Sequence, residues 1–210
     1  KNYQHVRRLG LTATPYRLMP SGRLKALEMY DDFVVAATPR ELEKLGFISP
    51  IKIFAPPTPD GAQGGVGDNL TAREAVMGQD HVVGDIVETW LKAGKASTIV
   101  FTVSVKLAKT LANKFKEAGV NAAAVSGYEP FDARRDIIGK FRRGEIQVVC
   151  NAMLLTEGLD VPHVTRIVMA RPTESPAVFL QQVGRGVRPY PGKACCELYD
   201  HAGNVLTHGH

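Results

Sequence analysis

Residues 97–127 read STIVFTVSVKLAKTLANKFKEAGVNAAAVSG, and this stretch decides the fold. STIVFTV (97–103) is a short, continuous apolar run, the kind of strand that a parallel sheet buries on both faces. Val105, Leu107, Ala108, Leu111, Ala112 and Phe115 then fall at helical spacing over 104–118. Gly119 is placed to end that helix. VNAAAVSG (120–127) reads as a second strand. Strand, helix and strand in succession predict a crossover connection.

The same rhythm continues outward. Residues 130–143 read as a helix, IQVVCNA (146–152) and TRIVMA (165–170) as strands, 175–186 as a helix and CCELYD (195–200) as a fifth strand. Upstream, 71–93 reads as one long helix with Trp90 and Leu91 near its end. Alternating strands and helices predict an α/β fold with a mostly parallel sheet covered on both faces. Further upstream the pattern loosens. Residues 1–16 read as a strand running into a turn, 23–30 as a short helix, and FISPIKIF (47–54) as an alternating strand. Residues 39–46 predict a helix capped by Thr38, with Pro39 at its first position and Gly46 to stop it. APPTPDGAQGGVGDN (55–69) is dense in proline and glycine and marks the best boundary.

Length and composition bound the function. At 210 residues the prior is about 1.4 domains. With 44% hydrophobic and 22% charged residues the chain is no disordered tail. No apolar run approaches the roughly 18 residues that span a bilayer, and no secretory leader opens the sequence. Three cysteines are too few and too odd in number for a disulfide framework, which fits a reducing, cytoplasmic setting. The net charge of +5 is compatible with a nucleic-acid partner without requiring one. Because the first residue is Lys1, the sequence reads as a piece of something longer.

Three polar sequences stand out, and the expectation places all three on loops at the carboxyl ends of strands. In QQVGRGVRP (181–189), Gln181, Gly184, Arg185 and Arg188 form Q-x-x-G-R-x-x-R. If that segment is helical, the two arginines lie one turn apart and can reach one target, and guanidinium forks suit phosphate oxygens. Alone it would also fit a solvated helix end. In LLTEGLDVP (154–162), Gly158 permits close backbone approach and Asp160 can accept from a sugar hydroxyl; alone it would fit a capped turn. GLTATP (10–15) offers Thr12 and Thr14 on a turn.

Taken together and in this order, the three resemble the C-terminal half of the superfamily 2 (DEAD/DEAH-like) helicase core. Thr12-Ala13-Thr14 resembles motif III, IVFTVSV (99–105) motif IV, TEGLDVP (156–162) motif V, and Gln181 to Arg188 motif VI. LLTEGLDVP is similar to motif V of the excision-repair helicase UvrB. ARPTESPAVFLQQVGRGVRPYPGK (170–193), followed by DHAGN, resembles the RadD group and phage or restriction-type relatives. The resemblance implies a RecA-like domain over 71–210. It also implies a linker over 56–70, and over 1–55 the tail of a preceding RecA-like domain.

The resemblance implies roles too. Arg185 and Arg188 would be arginine fingers on the γ-phosphate of ATP, with Gln181 helping to place them. Glu157, Gly158, Asp160 and Gly184 would line the nucleotide. Thr102, Ser104, Ser126, Gly127 and Thr156 would meet the nucleic-acid backbone. Thr12 and Thr14 would couple hydrolysis to domain closure. The implied partners are DNA, single-stranded or forked, with RNA as the alternative, and the preceding RecA-like domain; no membrane is implied. ATP and Mg²⁺ would be the cofactors of the longer parent. Ala152 stands where DEAD-box proteins open motif V with threonine, which points away from that branch and from RNA.

A phosphate-cradling G-x-x-x-x-G-K-[ST] loop and a D-E-x-[HD] motif are both missing from these 210 residues. The expectation is therefore an ATP-dependent parent and a piece that neither binds nucleotide firmly nor hydrolyses it alone. A non-catalytic binding module and a restriction-enzyme motor subunit are the alternatives. Trp90 and Cys150 read as core, Cys195 and Cys196 as facing opposite ways without a zinc site, and Arg142 and Arg143 as a helix end. His208 and His210 read as a disordered tail. No metal-ligating residues are assigned, and a Ser126–His163–Asp160 triad is set aside for want of a nucleophile elbow.

Overall fold

The computed structural model describes residues 10–12, 16–18, 24–26, 32, 34–57, 70–152 and 161–209. The stretch over 97–127 folds as read, into strand, helix and strand. A short antiparallel hairpin joins β1 (Tyr16–Leu18) to β2 (Leu24–Ala26), with Arg17 opposite Lys25. The helix expected over 23–30 is therefore a strand in its described part. An isolated helix that short is marginal in water, and cross-strand pairing wins. Helix α1 (Pro39–Lys44) follows, opened by a capping box between Thr38 and Glu41.

β3 (Ile51–Phe54) was expected before the domain boundary. It pairs in parallel with β8 (Cys196–Asp200), Ile51 opposite Cys196 and Phe54 opposite Tyr199. Residues 51–54 are thus part of the main sheet, despite lying upstream of the proline- and glycine-rich segment. The rest of that segment, 58–69, lies outside the described residues.

The long helix expected over 71–93 is two helices, α2 (Leu70–Met77) and α3 (Asp80–Lys92). Gln79 is extended between them, and a Cβ on Gly78 would sit 2.7 Å from the Glu74 carbonyl oxygen, so glycine permits the break. Then come β4 (Thr98–Thr102), α4 (Val105–Glu117), β5 (Ala122–Ser126), α5 (Phe131–Arg142), β6 (Val148–Ala152), β7 (Arg166–Ala170) and α6 (Pro176–Gly184), before β8 and a last helix, α7 (Asn204–His208).

The sheet runs β3-β8-β7-β4-β6-β5, all parallel among the described residues. Strand side chains alternate between two cores. Val100, Cys150 and Val168 face α3 and α4, where Trp90, Leu111 and Phe115 are buried. Ile99, Phe101, Val149, Ile167 and Met169 face α5 and α6, where Phe141, Phe179 and Val183 close the second core. Trp90 is a packing residue: its indole donates to Thr98 Oγ1 at 2.7 Å and it meets Phe115 edge-on.

The last helix was not foreseen. Asp200 accepts from the backbone of Ala202 and Val205 and from the Asn204 amide, tying the turn after β8. His208 ends α7; its ring stacks on Phe179 at 5.3 Å and its Nε2 lies 2.7 Å from the Thr173 carbonyl oxygen. The expectation of a disordered tail is corrected at His208, and His210 lies outside the described residues.

Candidate ATP and nucleic-acid surfaces at opposite ends of the sheet

Parallel strands share one carboxyl rim. Ser104 caps α4 there: its hydroxyl accepts from Leu107 N and donates to Glu74 at 2.9 Å. Ser126 ends β5, and Glu129 accepts from its backbone N–H at 2.5 Å and its hydroxyl at 2.7 Å. Burial pushes the Glu129 carboxyl upward, but the bonds from Ser126 more than offset this and hold it below the usual range. Gly127 is exposed beside it, as are the rings of Tyr128 and Phe131. Thr102 lies on the same rim but is fully buried, its hydroxyl 3.0 and 3.1 Å from the carbonyls of Ser104 and Asn151. Its hydroxyl is turned inward, so it shapes the turn instead of facing a ligand.

The arginine motif is elsewhere. The helix α6 ends at Gly184; Arg185 is its C-cap and Arg188 lies in the bend beyond, so the two do not share a helix turn as expected. Nor is the motif at the carboxyl rim. A Cβ on Gly186 would meet Cys196 Sγ at 2.4 Å and Ile167 Cγ1 at 2.7 Å, which places the loop on the starts of β7 and β8. Ser49, just before β3, donates its N–H to the Val187 carbonyl at 2.7 Å. The motif therefore sits at the amino edge, because α6 runs antiparallel to the strands and delivers its end there. Five residues of strand separate the two edges by roughly 15 Å. Arg185 and Arg188 are half-buried, Gln181 is exposed and Gly184 half-buried.

Between the two edges runs the segment from Ala152, at the carboxyl rim, to Val161 and Pro162, beside the arginine loop. Its middle carries Thr156, Glu157, Gly158 and Asp160, which lie outside the described residues, as do Ala13 and Thr14; Thr12 is exposed. His163 stacks in tilted fashion on Phe141 at 5.1 Å, and burial pushes its pKa down. Phe141 ends α5 at the amino edge, so His163 and Ser126 are at opposite ends of the sheet and no triad forms.

Three side chains were missed by the motif reading. Lys193 Nζ donates to the carbonyls of Gly186, Arg188 and Pro162, the latter two at 2.9 and 3.4 Å. Ser49 adds a 3.4 Å contact to the Arg188 carbonyl. Gln182, not Gln181, is the buried glutamine of the motif. A signal existed for Lys193: Tyr190-Pro191-Gly192-Lys193 is a type II turn sequence, and it closes with Lys193 N on the Tyr190 carbonyl and Gly192 at φ +79°.

The comparisons agree with this architecture. The helicase conserved C-terminal domain family matches residues 80–189. A 51.5 kDa protein of Lactococcus phage (isolate 7-9) is 31% identical over 99% of this chain and 46% of its own length. A Saccharomyces cerevisiae protein assigned as the ATP-dependent helicase IRC3 is 36% identical over 64% of this chain and 20% of its own. The chain thus spans less than half the length of these curated relatives. A fragment assigned as an HsdR subunit of a type I restriction enzyme from Vibrio vulnificus shares the fold. It has a TM-score of 0.64 and 22% identity, covering 79% of this chain and 34% of that one. The parallel sheet, its flanking helices and the match over 80–189 together make this chain a member of the helicase conserved C-terminal domain family of superfamily 2, with the RecA-like fold expected of it.

Proposed function

We propose that this chain is the second RecA-like half of an ATP-dependent superfamily 2 DNA helicase or translocase, cytoplasmic and part of a longer protein. The observation that carries the reading is the placement of two polar surfaces at opposite edges of one sheet, joined by residues 153–161. The amino edge presents two guanidiniums within four residues on a loop whose backbone is fixed. That donor set fits the phosphates of ATP, and bound ATP supplies the phosphoryl transfer that such forks stabilise. Arg185 and Arg188 would act on the γ-phosphate, Gln181 and Gly184 would flank it, and Glu157, Gly158 and Asp160 would line the nucleotide from the other wall. The preceding RecA-like domain would supply the phosphate loop and hold Mg²⁺, with Thr12 and Thr14 coupling the two.

The carboxyl rim would grip the strand. Ser104, Gly127 and Thr156 would offer hydroxyls and backbone to phosphates, buried Ser126 would join them only once Glu129 releases it, and the exposed rings of Tyr128 and Phe131 offer stacking faces beside them. The segment 153–161 begins at this rim and ends at the arginines, so a nucleotide-dependent change at one end would reach the other. DNA is favoured over RNA because Ala152 departs from the DEAD-box pattern.

The test is steady-state ATP hydrolysis by the longer protein with single-stranded DNA present. Arg185→Ala should lower turnover about 10³-fold, as loss of an arginine finger does. Turnover near wild type would remove Arg185 from the role. The 210 residues alone should hydrolyse no ATP above background, and turnover at an ordinary motor rate would contradict the assignment of the phosphate loop to another domain.

A further inference from the structure

The loop that carries the arginines has no regular secondary structure, and Gly186 at its centre has no side chain with which to anchor it. Its three successive carbonyls nonetheless all have donors. Gly186 O and Arg188 O accept from Lys193 Nζ, and Val187 O accepts from Ser49 N. The same ammonium reaches Pro162 O, just after the residues 153–160 that follow β6 in the chain. A lysine head has three donors and no acceptor, and here the three find carbonyls of two separate loops.

We propose that Lys193 is a positioning residue that holds the arginine-bearing loop 185–188 in register with the end of the 153–162 segment. The inference rests on the reading that Arg185 and Arg188 act on ATP. Lys193 itself touches only backbone, so it acts through the arginines. Arg185 and Arg188 lie one and two residues from the glycine whose carbonyl Lys193 holds, so a slip of the loop displaces both guanidiniums. Contact with Pro162 ties that position to the segment linking the two edges. Removing the ammonium would leave half-buried carbonyls to find water, which requires the loop to open. Burial lowers the pKa of Lys193, so the ammonium is held at some cost in lost water, which the carbonyl contacts offset only in part.

The experiment uses the full-length protein, ATP and single-stranded DNA, with Lys193→Met, Lys193→Arg, Arg185→Ala and the double variant Arg185→Ala/Lys193→Met. Folding is checked by circular dichroism and melting. Lys193→Met should lower kcat about 10²-fold with KM for ATP changed less than about threefold, because alignment is lost and not binding. Lys193→Arg keeps the charge but not the tetrahedral donors, and should fall between, at about tenfold. In the Arg185→Ala background, Lys193→Met should add less than about twofold, since both act through one group. A purely structural loss would multiply instead. If Lys193→Met does not fold, Lys193→Arg and its double variant with Arg185→Ala decide the matter.

A folded Lys193→Met variant with wild-type turnover, or a fully multiplicative double variant, overturns the role of Lys193 while leaving the arginine reading standing. Wild-type turnover in Arg185→Ala overturns the arginine reading, and the role of Lys193 falls with it.

Discussion

The two edges of this sheet hold their polar groups by opposite means. At the carboxyl rim, donors are occupied by carboxylates: Ser104 by Glu74, and Ser126 by Glu129. At the amino edge, acceptors are gathered by a cation, with three carbonyls converging on Lys193. The rim therefore already contains anions where a phosphate backbone would arrive, and a nucleic acid must displace or share them. The amino edge carries Arg185 and Arg188 on a loop whose carbonyls are already held, so on the proposed reading it would accept phosphate without rearrangement. The proposed reading thus asks the rim to exchange its partners and the amino edge to keep its own.

The largest effect should separate the edges cleanly. Arg185→Ala is expected to cut ATP turnover about 10³-fold while leaving single-stranded DNA affinity of the nucleotide-free protein within about threefold. Anisotropy titration alongside the ATPase assay checks both. A parallel loss of DNA affinity would mean that the two edges are one site.

Gly186→Ala probes the packing of the amino edge. The new methyl would overlap Cys196 Sγ and Ile167 Cγ1 at 2.4 and 2.7 Å, both in the second core. Overpacking of that kind costs about 1–3 kcal/mol. A lowered midpoint in urea or heat is expected, together with reduced turnover. An unchanged midpoint would show that the loop can lift from β7 and β8, and Lys193 would then be holding something already loose.

Much of this fold was legible beforehand, for a reason visible in β4. All five of its residues are buried, and a strand buried on both faces writes itself as an unbroken apolar run. Helix α4 was equally plain, because one face carries its apolar residues and Ser104 and Gly119 mark its ends. The pairing of β3 with the main sheet was not legible, because its partner β8 begins 142 residues beyond its last residue, a long-range contact that no local pattern reports. The arginines were found by motif but misplaced in space. Spacing shows that Arg185 and Arg188 can be neighbours, but not that the helix stops at Gly184 or that its end is carried to the amino edge. Lys193 was missed because its partners are carbonyls, which leave no trace in side-chain patterns. His208 was misread because the stack on Phe179 and the contact with Thr173 are tertiary.

At the rim the comparison predicts a gain, not a loss. Glu129→Gln removes the negative charge beside Ser126 and leaves only a weaker, neutral acceptor on its hydroxyl and backbone N–H, so an arriving phosphate competes for them more easily. Single-stranded DNA binding at low salt should tighten about threefold to tenfold, with a steeper dependence on salt as one more phosphate contact is made. ATP turnover at saturating DNA should be unchanged. Weaker binding would mean that the carboxylate supports the rim's shape more than it opposes phosphate.

The smallest effect concerns acid, and it again divides the edges. His163 at the amino edge is half-buried against Phe141 and Tyr190, and burial holds its pKa below the ordinary 6.5. The unfolded chain therefore binds a proton near pH 6.5 that the folded chain resists. Below that pH the unfolded state carries more protons, so stability falls as the pH falls. His201 acts in the same direction, since its burial outweighs the Asp85 carboxylate 3.1 Å away. Glu129 at the rim, its pKa held below 4.5, loses its contribution only in stronger acid. Melting temperatures between pH 7.5 and 5.5 should therefore drop in the wild type and drop less in His163→Asn, while Glu129→Gln leaves that interval unaltered. Equal slopes in all three proteins would show that His163 takes up its proton without disturbing the amino edge.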